Sequence, residues 1–505
     1  MLAKRGIWRT VVRNVASTTN HLMVRAGLSK KPRKTLFIDG NKNVSYGDFL
    51  NWSGKYAGIL SSNYDICKGD RVMCRTSKTL DSVALYLACL QLGAIYIPVN
   101  PSYTQHETEH FVEDATPKLM ITCDVSKDKV FRERVANIVD EKSLSAKAKS
   151  AEAILDIEHV ESNDVACVLY TSGTTGLPKG AMLTHGCLST NAEALVDEWR
   201  FTEHDKLLHM LPFYHVHGMF ISLNCSLFSH STVIWRERFS VEDSIKLLPS
   251  TTVLMGVPTF YSRLLSSPKF NAELLQQLRL FTCGSAPLST QLWKEFKSRT
   301  GHEILERYGM TEAQVISSNL YDDRRPGTVG KPVGDTKIRI SDRGIVEIQS
   351  SSLFSGYWKN PKKTAEDFTE DKYFTTGDLG TIDDDGFLHI LGRGKDLIIV
   401  GGFNVYPKEV EDCIEELPDV TEAAVIGVPH KDLGEAVVAV VCIDNASAVD
   451  AAKKEREIIE ELKKMLGKYK VPKRVVFVSS LPKNSMAKIQ KKQLREQYKT
   501  ICEEK

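Results

Sequence analysis

The chain predicts an α/β protein, with a large N-terminal domain of layered sheets and helices and a small α+β domain behind it. Two patterns carry that prediction. Up to about residue 390, short apolar runs of strand type alternate with amphipathic helical runs, the rhythm of stacked α/β layers. Past Gly392-Arg-Gly-Lys395 the composition turns to a Gly-Gly pair, strand-like runs, a charged helix and a basic tail. A length of 505 residues, 42% hydrophobic and 26% charged, is enough for two or more cores.

Residues 1–34 carry nine basic residues (Lys4, Arg5, Arg9, Arg13, Arg25, Lys30, Lys31, Arg33, Lys34) and no acid. The remainder holds 57 basic against 64 acidic residues, a net of −7, so the leader hides an acidic body. On a helical wheel Arg5, Arg9 and Arg13 share one face, with Ile7, Trp8, Val11 and Val15 opposite. Arg-rich, acid-poor and amphipathic is the make-up of a mitochondrial transit peptide, so residues 1–34 are expected to address the chain to the matrix. A merely basic terminus on a cytoplasmic protein is the alternative.

In the body, Val83 to Val99 is apolar but broken by Gln91, Gly93 and Pro98, too interrupted to span a bilayer, and reads as a buried helix running into a strand. Lys118–Thr122, Val165–Tyr170, Ala181–Thr184, Thr251–Gly256 and Leu278–Cys283 read as strands, with a helix over Tyr261–Leu265. Ser145–Ala153, small and basic, is expected to be an exposed connection. The large domain is placed at 35–393, a hinge at 394–396 around Lys395, and the small domain at 397–505. In the latter, Ala423–Val428 and Ala436–Ile443 read as strands, Pro407 opens a helix at its permitted first turn, and 452–466 is a charged helix. Eleven cysteines form no CxxC pair, which fits reduced thiols.

The chemistry concentrates first in Thr171-Ser-Gly-Thr-Thr-Gly-Leu-Pro-Lys-Gly180. Gly173, Gly176 and Gly180 let successive amides turn toward one anion. Thr171, Ser172, Thr174 and Thr175 add hydroxyls, and Lys179 adds a mobile cation. It is not a Walker loop: Pro178 precedes the lysine and Gly180 follows it, where a helix start with Ser or Thr is required.

This loop closely resembles the phosphate loop of the adenylate-forming superfamily, which includes acyl-CoA synthetases, luciferases and peptide-synthetase adenylation domains. Gly284-Ser285-Ala286-Pro287, Glu306-Arg307-Tyr308-Gly309-Met310-Thr311-Glu312, Thr376-Gly-Asp378, Gly392-Arg393 and Asn484-Ser-Met-Ala-Lys488 resemble further segments of that superfamily in the same order. The resemblance implies ATP binding by Thr171 to Gly176, Lys179, Gly284 to Ala286, Glu306 to Thr311, Asp378, Arg393 and Lys488. It places Tyr308 on adenine, Thr311 at the α-phosphate, Asp378 and Arg393 on the ribose, and Mg2+ on Glu312. Lys488 is the implied catalytic lysine, with Thr311, Glu312 and His217 as partners in catalysis. A fixed ammonium there would offset charge building on the α-phosphoryl group. The superfamily usually has Gly before this lysine; here Ala487 stands there, a departure costing about 1 kcal/mol if the site needs positive φ. Gly401, Gly402 and Phe403 resemble the segment lining the CoA channel, and Lys395 the pivot between two half-reactions.

For the acid, Leu211-Pro-Phe-Tyr-His-Val-His217-Gly-Met-Phe220 and Met255–Leu265 resemble the malonyl-CoA synthetases, within the branch near fatty-acyl and 4-coumarate ligases. The implied reaction joins malonate, or methylmalonate, to CoA through an acyl-adenylate, releasing AMP and pyrophosphate. A second carboxylate needs a cation, best an arginine fork. Arg279 and Arg325 are the two candidates, and His217 either donates to a carboxylate or packs the pocket wall. Medium-chain fatty-acyl or 4-coumarate ligation, a luciferase-like monooxygenase and a non-catalytic binding protein are the rival readings. Basic residues without interleaved aromatics give no nucleic-acid platform.

Overall fold

The computed structural model describes residues 20–171, 178–443, 450–484 and 488–502. Three sheets build the large domain. The first holds nine strands in the order Lys331–Pro332, Gln314–Ser318, Ile304–Met310, Leu280–Cys283, Val253–Gly256, Lys206–His209, Thr232–Trp235, Thr35–Asp39 and Lys42–Ser45. Its centre, from Ile304–Met310 to Thr35–Asp39, is parallel. Strands such as Leu280–Cys283 and Val253–Gly256 are buried throughout, as expected where both faces are covered. The second sheet holds six strands and ends in the antiparallel hairpin of Val165–Thr171 with Lys179–Thr184. That pairing sets Thr171 opposite Lys179, so the phosphate loop joins two strands rather than a strand and a helix. A four-stranded antiparallel sheet, Lys337–Ile340 to Leu388–Arg393, completes the domain.

The small domain is a sheet in the order Phe403–Val405, Ile398–Val400, Gly434–Ile443 and Val420–His430, with Arg474–Phe477 added parallel to Gly434–Ile443. Helices Pro407–Glu415 and Ala451–Met465 bury Val410, Ile414, Ile458 and Leu462 against one face. Helix Lys491–Tyr498 covers the other through Leu494. Pro407 sits at the first turn, as its sequence position predicts.

Two expectations are corrected. Residues 141–150 form a helix with Leu144 and Ala148 buried one turn apart, so the run expected as a loop largely belongs to a helix that packs on Tyr46–Tyr64. The stretch 1–34, expected as a leader, overlaps the folded domain from His21 onward. His21, Leu22, Met23, Ala26 and Leu28 are buried in the main core, and His21 places Nε2 2.7 Å from the Leu90 carbonyl. Removing 1–34 would uncover that core. Among the described residues, no helix is long and apolar enough to cross a membrane.

Candidate active site

Parallel strands present their carboxyl ends along one rim, where crevices of open α/β sheets bind ligands. Here that rim carries His209, Gly256, Gly284 and the end of Ile304–Met310. Gly284 follows its strand, and a Cβ added there would fall 2.5 Å from both Cζ and Nε of Arg307. The missing side chain is filled by the guanidinium of the neighbouring strand. Ser285 then takes φ 70°, a left-handed conformation that costs a non-glycine residue energy and clusters at functional sites. Its hydroxyl lies 3.2 Å from His217 Nδ1. Arg307 is buried, and neither Nε nor Nη2 has a hydrogen-bond partner among the described residues. Burial pulls its pKa down to about 10, still high enough to keep the charge at neutral pH. His217 is also buried, its Nε2 unpartnered among the described residues; burial first, and Arg307 second, hold its pKa well below the usual range.

The adjoining cluster gathers residues from all parts of the large domain. Tyr308 donates to Asp378 Oδ2 at 2.5 Å, and Arg393 Nε holds Asp378 Oδ1 at 2.9 Å. Register places Asp378 opposite Arg393, so the pair is built into the strand pairing. Glu312 is buried and accepts from the Tyr357 hydroxyl at 2.9 Å; burial raises its pKa, with Lys179 and Arg393 opposing. Lys179 lies 4.2 Å over the Tyr357 ring and 3.7 Å from Asp367. Thr311 is half-buried in the turn between Tyr308 and Glu312. Glu306 points elsewhere: it accepts from the Leu288 amide at 3.0 Å, and burial pushes its pKa up to about 7. Among the described residues no three potential metal-ligating side chains converge, so a magnesium ion held at Glu312 would need phosphate oxygens and water for its remaining ligands.

Lys488 joins this cluster from the small domain. More than a third of the residue stays open, yet protein packed about the ammonium, with Arg393 next, draws its pKa down to about 8 while Asp378 pulls the other way. Lys395 sits in the short turn Gly394–Asp396, whose Asp396 pairs with Arg495 at 2.7 Å. Gly401 and Gly402 have positive φ, and Phe403, 59% exposed, rests its ring on Tyr469; these three are not part of the Asp378 cluster. Residues 172–177, with Ser172, Gly173, Thr174, Thr175 and Gly176, and Ala487 lie outside the described residues.

Both candidate arginines are already committed to carboxylates of the protein. Arg279 stands before its strand, at the end opposite Gly284, roughly 16–17 Å away at strand rise. It forks onto Asp205 through Nε at 2.8 Å and Nη2 at 2.7 Å, and also donates to the Trp199 and Arg200 carbonyls and to Tyr321. Arg325 is held at the surface by Asp323 and Asp385 over the Phe387 ring. Arg307 instead lies against Gly284, a placement that the superfamily motif around it, which implies an ATP contact, does not announce. The signal that could have found it is position: alternation sets Arg307 on the same face of its strand as Leu305, beside the residue that follows the neighbouring strand.

The AMP-binding enzyme family matches residues 24–358, and the AMP-binding enzyme C-terminal domain matches 409–488. The chain belongs to this family: it is an AMP-forming acid–CoA ligase, acting on ATP, a carboxylate and CoA. A relative named malonate–CoA ligase, from Arabidopsis thaliana, is 35% identical over 87% of this chain and 79% of its own length. A long-chain-fatty-acid–CoA ligase from Bacillus subtilis is 29% identical over 92% of each. The crystal structure of ATP-bound MatB from Rhodopseudomonas palustris superposes with a TM-score of 0.91 at 42% identity, over 96% of this chain and 99% of that one.

Proposed function

We propose that the acid is malonate, and that Arg307 holds its second carboxylate. The observation that carries this reading is the empty Nε–Nη2 edge of Arg307 behind Gly284. A buried, charged fork with no partner is costly, and two parallel N–H groups match the two oxygens of a carboxylate. A ligase for an apolar tail would leave that charge unpaired in the complex. His217, neutral and beside both Ser285 and Arg307, would donate to the same acid.

In the first half-reaction the other carboxylate attacks the α-phosphorus of ATP, and the bond to pyrophosphate breaks. Lys488 faces that centre, Asp378 and Arg393 would take the ribose, and Lys179 would leave Asp367 for the pyrophosphate oxygens. Magnesium, when bound at Glu312, neutralises phosphate charge. In the second half-reaction the CoA thiolate attacks the acyl carbon and AMP departs. Gly401, Gly402 and Phe403 would line its path once the small domain turns about Lys395. With Lys488 set near 8, malonate-dependent adenylation should fall as pH rises through that value; a rate flat to pH 9.5 would remove the ammonium from the chemistry. A mitochondrial address is proposed on residues 1–19 alone, and an import assay should give a mature chain starting no later than Asn20.

The deciding experiment compares malonate, methylmalonate, acetate, octanoate and 4-coumarate in CoA-dependent AMP release by residues 20–505. Malonate should lead. Preference for octanoate or 4-coumarate would overturn the malonate reading and leave the ligase assignment untouched.

A further inference from the structure

The residues from His209 to Ser222 contain a polar contact that neither half-reaction uses. His209 ends the strand Lys206–His209 and is 1% exposed. Its ring stacks on Trp235 with centroids 4.6 Å apart at 21°, and its Nε2 lies 2.8 Å from the carbonyl of Gly218. A carbonyl only accepts, so Nε2 carries the proton and Nδ1, without a partner among the described residues, keeps its lone pair. Burial holds the imidazole neutral, and the ammonium of Lys78 nearby adds to that. Lys78 donates to the His209 carbonyl at 3.1 Å and to the Arg236 carbonyl at 2.5 Å, and lies over the Trp235 ring, so the stack itself is braced from behind.

Gly218 is the second residue of a π-helical turn, His217–Ser222. Such turns are uncommon and frequent at functional sites, because the wider ring redirects the side chains it carries. A Cβ at Gly218 would lie 2.1 Å from the Pro212 carbonyl, so the turn is pressed onto Pro212 on one side while His209 grips its carbonyl. The residue immediately before Gly218 is His217, whose Nδ1 meets Ser285 and whose neighbour is Arg307.

We propose that His209 is a positioning residue: by donating Nε2–H to the Gly218 carbonyl it fixes the π-helical turn that aims His217 at the acid. His209 itself touches no reactant. The inference rests on the reading that His217 lines the acid site, but not on malonate being the acid.

ATP–pyrophosphate exchange on residues 20–505, with the acid that best saturates the unaltered chain, tests it. His209→Gln keeps an N–H at the reach of Nε2, whereas His209→Asn places its amide short of Gly218, and both are neutral. The KM for the acid should rise about tenfold in His209→Asn and stay within about threefold in His209→Gln, with the KM for ATP unchanged in both. In a His217→Ala background, which should itself raise the acid KM, the two variants should be indistinguishable. Equal acid KM values for the Asn and Gln variants, a parallel rise in the KM for ATP, or a full Asn effect persisting without His217 would each overturn the proposal. An unchanged acid KM in His217→Ala alone would instead remove the reading beneath it. If His209→Asn does not fold, His209→Phe, which keeps the stack on Trp235 and lacks the donor, takes its place with the same outcomes.

Discussion

Arg279 immediately precedes one strand and Arg307 lies on its neighbour, at opposite rims of one sheet, and they are opposites in their bonding. Arg279 spends its donors on Asp205, two carbonyls and Tyr321. Arg307 lies deeper and leaves Nε and Nη2 empty. The lower rim thus uses its arginine to tie loops together, and the upper rim holds one in wait. A saturated guanidinium is a structural fastener; an unsaturated buried one costs stability until an anion arrives.

The sharpest way to break this contrast is Arg307→Met. Malonate kcat/KM should fall by about 10²–10³, the scale of losing a buried charge pair, while thermal stability holds or rises. Malonate should raise the melting temperature of the unaltered chain and not of this variant. A variant that keeps malonate activity would end the assignment. Gly284→Ala comes next: its methyl would displace the guanidinium and should cost malonate turnover about tenfold, with the KM for ATP little changed, as steady-state kinetics will read. Arg279→Met should do the reverse. Asp205 would be left buried without its cation, so urea unfolding should show a loss of about 2–3 kcal/mol with the acid KM unaltered. The smallest change belongs to Arg325→Ala, whose ion pairs face water; stability should move by no more than about 0.5–1 kcal/mol and activity not at all. An acid KM that follows Arg279 or Arg325 instead would invert the comparison.

What the sequence conveyed and what it withheld divide along the same line. The hairpin under the phosphate loop, the helix opened by Pro407 and the strands of the small sheet were legible, because periodicity and turn residues are local signals. The helix at 141–150 was not: only Leu144 and Ala148 bury, and its small basic residues look like a loop until Tyr46–Tyr64 supplies a surface. The partners of Arg279 were hidden for a related reason. Asp205 lies 74 residues before Arg279, and nothing in either segment announces that they meet. The left-handed Ser285 and the Tyr357–Glu312 contact are likewise products of assembly.

The buried segment that begins at His21 also sets an order of events. The Leu22 amide lies 3.3 Å from His185 Nδ1, a partner 163 residues later in the chain. Closing so long a loop is slow and must await synthesis or translocation of that partner. The first described residues are therefore among the last to find their places. Until His185 emerges the Leu22 amide lacks this partner, although His21 can already reach the Leu90 carbonyl, 69 residues on.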